Sequence, residues 1–126
     1  MNTILAPISI GELIDKITIL EIKEQHMTGE KLENVKKELN FLSLITQKNS
    51  IDMNNPNVEK LRLINKELWN IEDQIRQKEL QQSFGKEFVE LARSVYIKND
   101  IRSILKKTIN IENGSELIEE KSYESD

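Results

Sequence analysis

Polar side chains on two stretches of the chain have the spacing that lets them face one another across a pair of helices. Glu72 and Arg76 are four residues apart, and Arg93, Tyr96 and Asn99 follow one another at steps of three. Residues three or four apart share one face of a helix, and an Arg guanidinium offers forked donors to a carboxylate or phosphate. The pattern predicts either a site for a ligand or partner, or a buried polar network that fixes the register of the two helices.

A second, basic row is formed by Lys98, Arg102 and Lys106, which recur at steps of four residues. The simplest explanation is that cations near the end of a helix complement its dipole. Residues 112–126 suggest a more specific explanation, because they contain six acidic residues and only one basic residue, Lys121. We therefore predict that this acidic tail docks on the basic row, and that its release regulates the binding of a partner.

The composition excludes several catalytic chemistries. The chain has no cysteine and a single histidine, His26, so a thiolate nucleophile, a disulfide framework and a histidine-rich metal site are all excluded. A di-iron bundle needs Glu-x-x-His pairs, and no Glu lies three residues before His26. We expect no catalytic residues, no metal and no cofactor.

Paired carboxylates leave one enzymatic alternative open. Glu-x-x-Glu spacing occurs at Glu21 and Glu24, at Glu30 and Glu33, and at Glu87 and Glu90. Such pairs can hold magnesium in an all-helical nucleotide hydrolase, although they are also common on the solvated faces of charged helices. The alternatives to a non-enzymatic interaction protein are therefore a magnesium-dependent nucleotide hydrolase and a protein that binds a small molecule or phosphate, each with its site between helices.

Length and charge bound the class of protein. The 126 residues allow one domain, and only four Gly and two Pro interrupt it, which favours long helices. The net charge of −4 and the absence of a basic patch argue against nucleic-acid binding. No stretch has the pattern of an export signal or a spanning helix, so we expect a cytoplasmic protein that does not enter a membrane. The abundance of Ile, Asn and Lys, whose codons are AT-rich, points to a low-GC bacterium or a phage.

Hydrophobic periodicity predicts four helices, at about residues 10–26, 30–48, 57–82 and 86–109. Ser9 and Glu12 form a capping-box pattern at the first start. The short breaks at 27–29 and 83–85 predict antiparallel hairpins, and hence an all-α four-helix bundle with a short extended N-terminus.

The third helix has nearly heptad spacing, typical of a coiled coil. Ile19 and Ile22 fall off the main apolar face of the first helix, which indicates either a helix central in the bundle or a helix shared with a partner chain in a homodimer. Trp69, Phe41 and Phe88 are expected in the core.

The predicted division of the chain is a bundle domain over residues 1–114 and an acidic tail over residues 115–126. Leu117, Ile118 and Tyr123 lie among the acids of the tail. Since a purely solvating tail has no need of apolar side chains, we expect this one to be partly ordered, as a short helix capped by Ser115.

Four segments spread over nearly the whole chain carry a resemblance. They are SIGELIDKITILEIK (9–23), LWNIEDQIR (68–76), FGKEFVELARSVYIKNDIR (84–102) and GSELIEEKSY (114–123). Together they resemble a family of small uncharacterised proteins of bacteria and their phages, whose genes often lie near glycosyltransferase and surface-polysaccharide genes. Residues 30–60 match this family poorly beyond their helical pattern.

The resemblance implies that the tail is part of the design of the protein, since GSELIEEKSY is one of the matching segments. It also implies a set of signature polar positions: Asp15, Lys16, Glu21, Glu72, Asp73, Arg76, Arg93, Tyr96, Asn99, Asp100 and Arg102. The leading functional hypothesis is a non-enzymatic, homodimeric adaptor that binds another protein, in cell-surface polysaccharide assembly or in phage–host interaction.

Overall fold

The computed structural model describes residues 2–122, and it confirms the predicted all-helical class. The helices are α1 (Ile10–His26), α2 (Gly29–Lys48), α3 (Pro56–Leu80) and α4 (Lys86–Glu112). Each bound lies within three residues of its prediction, and residues 2–9 contain no helix or strand. No strand occurs within residues 2–122. The predicted apolar anchor Tyr123 lies outside the described residues.

Of the two contacts of the predicted capping box at the start of α1, one is present and the other is replaced. The Ser9 hydroxyl accepts a hydrogen bond from the Glu12 amide at 3.1 Å, as an N-cap should. The Glu12 side chain does not return toward Ser9 as in a capping box; it reaches the Lys106 ammonium on α4 at 2.6 Å instead. An ion pair to another helix has therefore replaced the reciprocal cap.

Helices α3 and α4 form an antiparallel hairpin along their full length. The contacts from the turn to the open end are Lys78–Glu87, Glu67–Lys98 and Asn57–Glu112. Because the residue numbers rise on one helix while they fall on the other, the two helices run in opposite directions. This confirms the second predicted hairpin.

α1 is the central helix of the fold. Its backbone approaches all three other helices, whereas the backbone of α2 approaches α1 alone within the described chain. Thr18 contacts Asn65 and, further along, His26 stacks on Trp69, so α1 runs in the same direction as α3. The core between these helices consists of Ile14, Val58, Leu61, Ile64 and Ile109. α2 is therefore a helix with one covered side.

The end of α4 sends the tail back along the bundle. Gly114 has a φ of 64°, a left-handed conformation that glycine adopts without strain. Its amide bonds to the Ile111 carbonyl at 3.2 Å, and the Ser115 amide bonds to the Asn110 carbonyl at 2.8 Å. These two bonds are a Schellman motif, which reverses the chain and directs the tail toward α1 and the side of α4.

Candidate functional site

A buried carboxylate lies at the junction of α1, α3 and α4. Asp15 is 1% exposed, and its Oδ1 accepts hydrogen bonds from Asn65 Nδ2 and Arg102 Nε, both at 2.9 Å. Its Oδ2 accepts from the second nitrogen of the same guanidinium. A bidentate Arg–carboxylate pair is the strongest ion-pair geometry available to these side chains. Asp15 therefore ties α1 to both helices of the long hairpin.

Thr18 completes this cluster one turn further along α1. Its hydroxyl donates to the Asp15 carbonyl at 2.8 Å and accepts from Asn65 Nδ2, also at 2.8 Å. The Asn65 amide thus bridges two residues of α1 from the opposite helix. Because polar groups in a core are costly unless they are hydrogen-bonded, this arrangement fixes a single register between α1 and α3.

Two cations at the edge of the cluster, Arg102 and Lys106, have raised pKa values. The hydrogen bond that Arg102 donates to Asp15 is the largest influence on the guanidinium and raises its pKa above the ordinary value, although burial lowers it. Burial lowers the pKa of Lys106, but the hydrogen bond to Glu12 and the charges of Asp15 and Glu12 raise it by more. Both cations therefore remain charged and act as fixed electrostatic anchors.

A second set of long-range contacts caps the start of α1. The Gly11 amide donates to Asn110 Oδ1 at 2.6 Å, and the Ile10 amide donates to Ser115 Oγ at 3.1 Å. These amides belong to the first turn, where a helix has no partners of its own. A β-carbon on Gly11 would lie 2.5 Å from the Lys106 carbonyl oxygen. The absence of a side chain at Gly11 is therefore what lets α4 approach α1 so closely.

Of the three residues of the basic row, only Lys106 forms an ion pair with the described part of the tail. Lys106 lies 3.2 Å from Glu119, whereas Lys98 pairs with Glu67 on α3 and Arg102 pairs with Asp15. Two further tail contacts are Lys107–Glu120 at 2.5 Å and Lys121–Asp100 at 3.4 Å. The described part of the tail, residues 115–122, is not helical. The helix expected after Ser115 is therefore wrong for that part, because Ser115 caps α1 instead.

The first predicted cluster lies on the surface. Glu72, Arg76, Arg93 and Tyr96 are all exposed, and Asn99 is half-buried and accepts a hydrogen bond from Arg102 at 3.4 Å. No ion pair joins Glu72, Arg76 and Arg93 to one another in the described chain. The buried polar network of this fold instead involves Asp15, which the resemblance had implied as a signature position.

A groove of 910 Å³ opens between the N-terminal segment and α2. Most of its lining is apolar and includes Ile4, Leu5, Ile8, Leu13, Phe41 and Ile45. Ile4 and Leu5 are 92% and 93% exposed, although they border the groove. Phe41, expected in the core, is 53% exposed. That expectation is wrong because α2 has only α1 to pack against.

These sites differ in what they can do chemically. Both Asp15 oxygens accept hydrogen bonds from Asn65 or Arg102, so this buried carboxylate joins α1 to α3 and α4. Within residues 2–122, no group of three or more His, Cys, Asp or Glu side chains is placed to hold a metal ion. The groove offers apolar contact area with Lys37, Glu38 and Asn49 at its border. The groove is therefore a mostly apolar surface with a polar border.

Asp15 was not predicted from residue spacing as the centre of a buried network, although its apolar surroundings in α1 indicated that it is buried. Asp15 and Thr18 stand in an α1 sequence whose neighbours Leu13, Ile14 and Ile17 are all apolar. Residues 14, 15, 17 and 18 belong to adjacent positions on the inner side of the helix. A buried carboxylate in that register needs a cation or hydrogen-bond donors from another helix.

The described chain is a small four-helix protein with an apolar groove and a tail folded back on the bundle. A family model matches residues 4–126, and the chain belongs to that family, the family of unknown function DUF6165. No curated protein and no solved structure is significantly similar to the chain. Within residues 2–122, none of the helices is both long and apolar enough to cross a membrane.

Proposed function

We propose that this chain is a non-enzymatic adaptor that holds an amphipathic helix of a partner protein in the groove between its N-terminal segment and α2. The supporting observation is the exposed apolar surface there, above all Ile4 and Leu5 at 92% and 93% exposure. Contiguous apolar surface on a small protein marks an interaction site. A helix that lays its apolar face into such a groove is a recurrent mode of recognition.

The dimensions of the groove favour a helix as its occupant. Its wall extends from Lys37 on α2 to Asn49, which caps the end of that helix; at 1.5 Å per residue this is about 18 Å, or roughly three turns of helix. α2 is covered by α1 alone among the described helices, so a docked helix would take the place of a missing neighbour. Lys37 and Glu38 at the border are available to pair with charges on the polar side of that helix.

The same proposal includes a homodimer in the cytoplasm. Its support is the set of apolar residues on α4 that its own bundle leaves exposed. The pathway we propose, cell-surface polysaccharide assembly or phage–host interaction, is supported by the gene surroundings of the family that the sequence resembles.

Capture from a lysate of the native host tests the groove. Phe41→Asp combined with Ile45→Asp places charges in the groove, and Leu63→Asp is the matched control because Leu63 is 59% exposed on α3, outside the groove. We expect one protein to be retained by the parent chain and by the control but lost from the groove variant. The purified partner should then bind the parent chain at least tenfold more tightly than the groove variant. Equal binding to all three chains would contradict the proposal.

A further inference from the structure

The outer side of α4 carries an apolar stripe that the bundle does not cover. Its members are Ile97, Ile101, Ile104 and Ile111, which are 45%, 41%, 65% and 64% exposed. They recur at steps of four, three and seven residues, and Thr108 fills the position between the last two. The inner side of the same helix holds Ile109, which is fully buried, and Leu105, which packs on the core. α4 is therefore apolar on two sides.

Alternating steps of four and three residues are the pattern of a coiled-coil seam, which is satisfied by another helix with the same pattern. Within the described chain, α1 and α3 contact the inner side of α4, and the outer isoleucines remain exposed. We infer that α4 pairs in an antiparallel orientation with α4 of a second copy. This inference rests on the proposed homodimer and specifies its interface.

The orientation follows from the two flanks of the stripe. On one flank, Lys98 pairs with Glu67 of α3 and Leu105 packs on the core, so the chain itself occupies that side. The other flank carries Asp100 and Lys107. In an antiparallel pair, equivalent flanks of the two helices meet each other, whereas in a parallel pair opposite flanks meet. Only the antiparallel orientation brings together the Asp100 and Lys107 flanks of the two copies, which border the tail and not α3.

The register follows from charge. If Ile101 packs against Ile104 of the second copy, Asp100 falls beside Lys107 of that copy, and symmetry repeats this ion pair. Sliding the helices so that Ile104 meets Thr108 would place Lys107 beside its own equivalent, which is repulsive. The first register is therefore favoured on both apolar contact and charge.

The tail borders this interface and leaves the two charges able to take part in it. Lys107 contacts Glu120, and Asp100 contacts Lys121 at 3.4 Å. The Lys107 side chain is still 49% exposed, an ammonium has three donors and a carboxylate accepts several hydrogen bonds. The same charges can thus be shared between the tail and the second copy.

Light scattering on charge-exchanged chains tests the interface. Asp100→Lys and Lys107→Asp each place like charges together in a homodimer, so each variant alone should dissociate about tenfold more readily than the parent chain. In an equimolar mixture of the two variants, every introduced charge faces an opposite one, and we expect a mixed dimer of nearly parental stability. A role of these residues in tail contacts alone predicts no such recovery.

A second measurement uses the absence of native cysteine. Ile101→Cys and Ile104→Cys, mixed and oxidised, should form the mixed disulfide faster than either variant cross-links to itself, with Leu63→Cys as the control. A parent chain that is monomeric at micromolar concentration would overturn both the homodimer and this interface. A stable dimer with no recovery on mixing, or with self-cross-linking dominant, would overturn the interface and leave the homodimer standing.

Discussion

The Asp15 carboxylate on α1 lies 2.9 Å from Nε of Arg102 on α4, across 87 positions of sequence. Asp15 is 1% exposed and the Arg102 side chain is 28% exposed, so the pair connects the interior of the bundle to its surface. Removing one partner of such a pair leaves an uncompensated charge. This relationship holds α1, and with it the groove formed by α2, at a fixed place on the long hairpin.

Asp15→Asn tests this role directly. The substitution removes the charge that faces Arg102, and we expect the free energy of unfolding to fall by about 3 kcal/mol. Asp73→Asn is the matched control, since Asp73 is exposed on α3, and should change stability by less than about 0.5 kcal/mol. Urea denaturation of both variants provides the comparison. Equal effects of the two substitutions would show that the buried pair does not stabilise the fold.

Gly11→Ala tests the close approach of α1 and α4. The new β-carbon would meet the Lys106 carbonyl at 2.5 Å and Asn110 Oδ1 at 3.0 Å, and the first of these atoms is backbone. We expect a loss of about 1–3 kcal/mol, as for other overpacked sites. At Gly85, by contrast, a β-carbon meets nothing within 4 Å. Gly85→Ala should therefore lower the melting temperature far less, and a Gly11→Ala variant as stable as the parent chain would refute the contact.

The contact of Glu119 with Lys106 predicts a pH dependence. Burial raises the pKa of Glu119, but its contacts with Glu12 and Lys106 lower it by more, so its folded-state pKa lies below the ordinary 4.5. A carboxyl with a lowered pKa stabilises the folded state above its unfolded pKa and loses that contribution as the pH falls. The stability difference between the parent chain and Glu119→Gln should thus be present at neutral pH and shrink below about pH 4.5. A difference that grows in acid would contradict this sign.

The stability of variants at Arg76 and Arg93 distinguishes a surface site from a buried polar network. Both side chains are exposed and neither forms an ion pair in the described chain, so Arg76→Ala and Arg93→Ala should each change the free energy of unfolding by less than about 0.5 kcal/mol. A loss of several kcal/mol would restore the network interpretation. Isothermal titration with inorganic phosphate, on the parent chain and both variants, shows separately whether these guanidinium groups bind an anion.

The helices were predictable because local patterns determine them. Ser9 and the apolar periodicity of α1 locate its start, and Asn49 to Pro56 interrupt the chain with residues that favour turns. The antiparallel hairpins follow from the short connections. Local sequence does not specify which side of a helix is covered, however. Phe41 lies on an apolar stripe like a core residue, but it is exposed because α2 has a single neighbour.

The polar network was only partly predictable for a similar reason. Asp15, Asn65 and Arg102 each stand out as polar residues in apolar surroundings, but periodicity does not say which of them meet across the bundle. The contacts of Asn110 and Ser115 with the start of α1 depend on the reversal at Gly114, which brings residues about 100 positions apart together. Pairings of this range are fixed by the packed fold.

The adaptor role is tested most directly by photo-cross-linking in the native host. A photoreactive phenylalanine analogue at position 41 samples the groove, and the same analogue at position 63 samples an exposed site on α3. We expect position 41 to yield one discrete adduct with another protein, mapped to an amphipathic helix of that protein, and position 63 to yield none. Adducts only with a second copy of this chain or with lipid, or no adduct at position 41, would contradict the proposal that a partner helix occupies the groove.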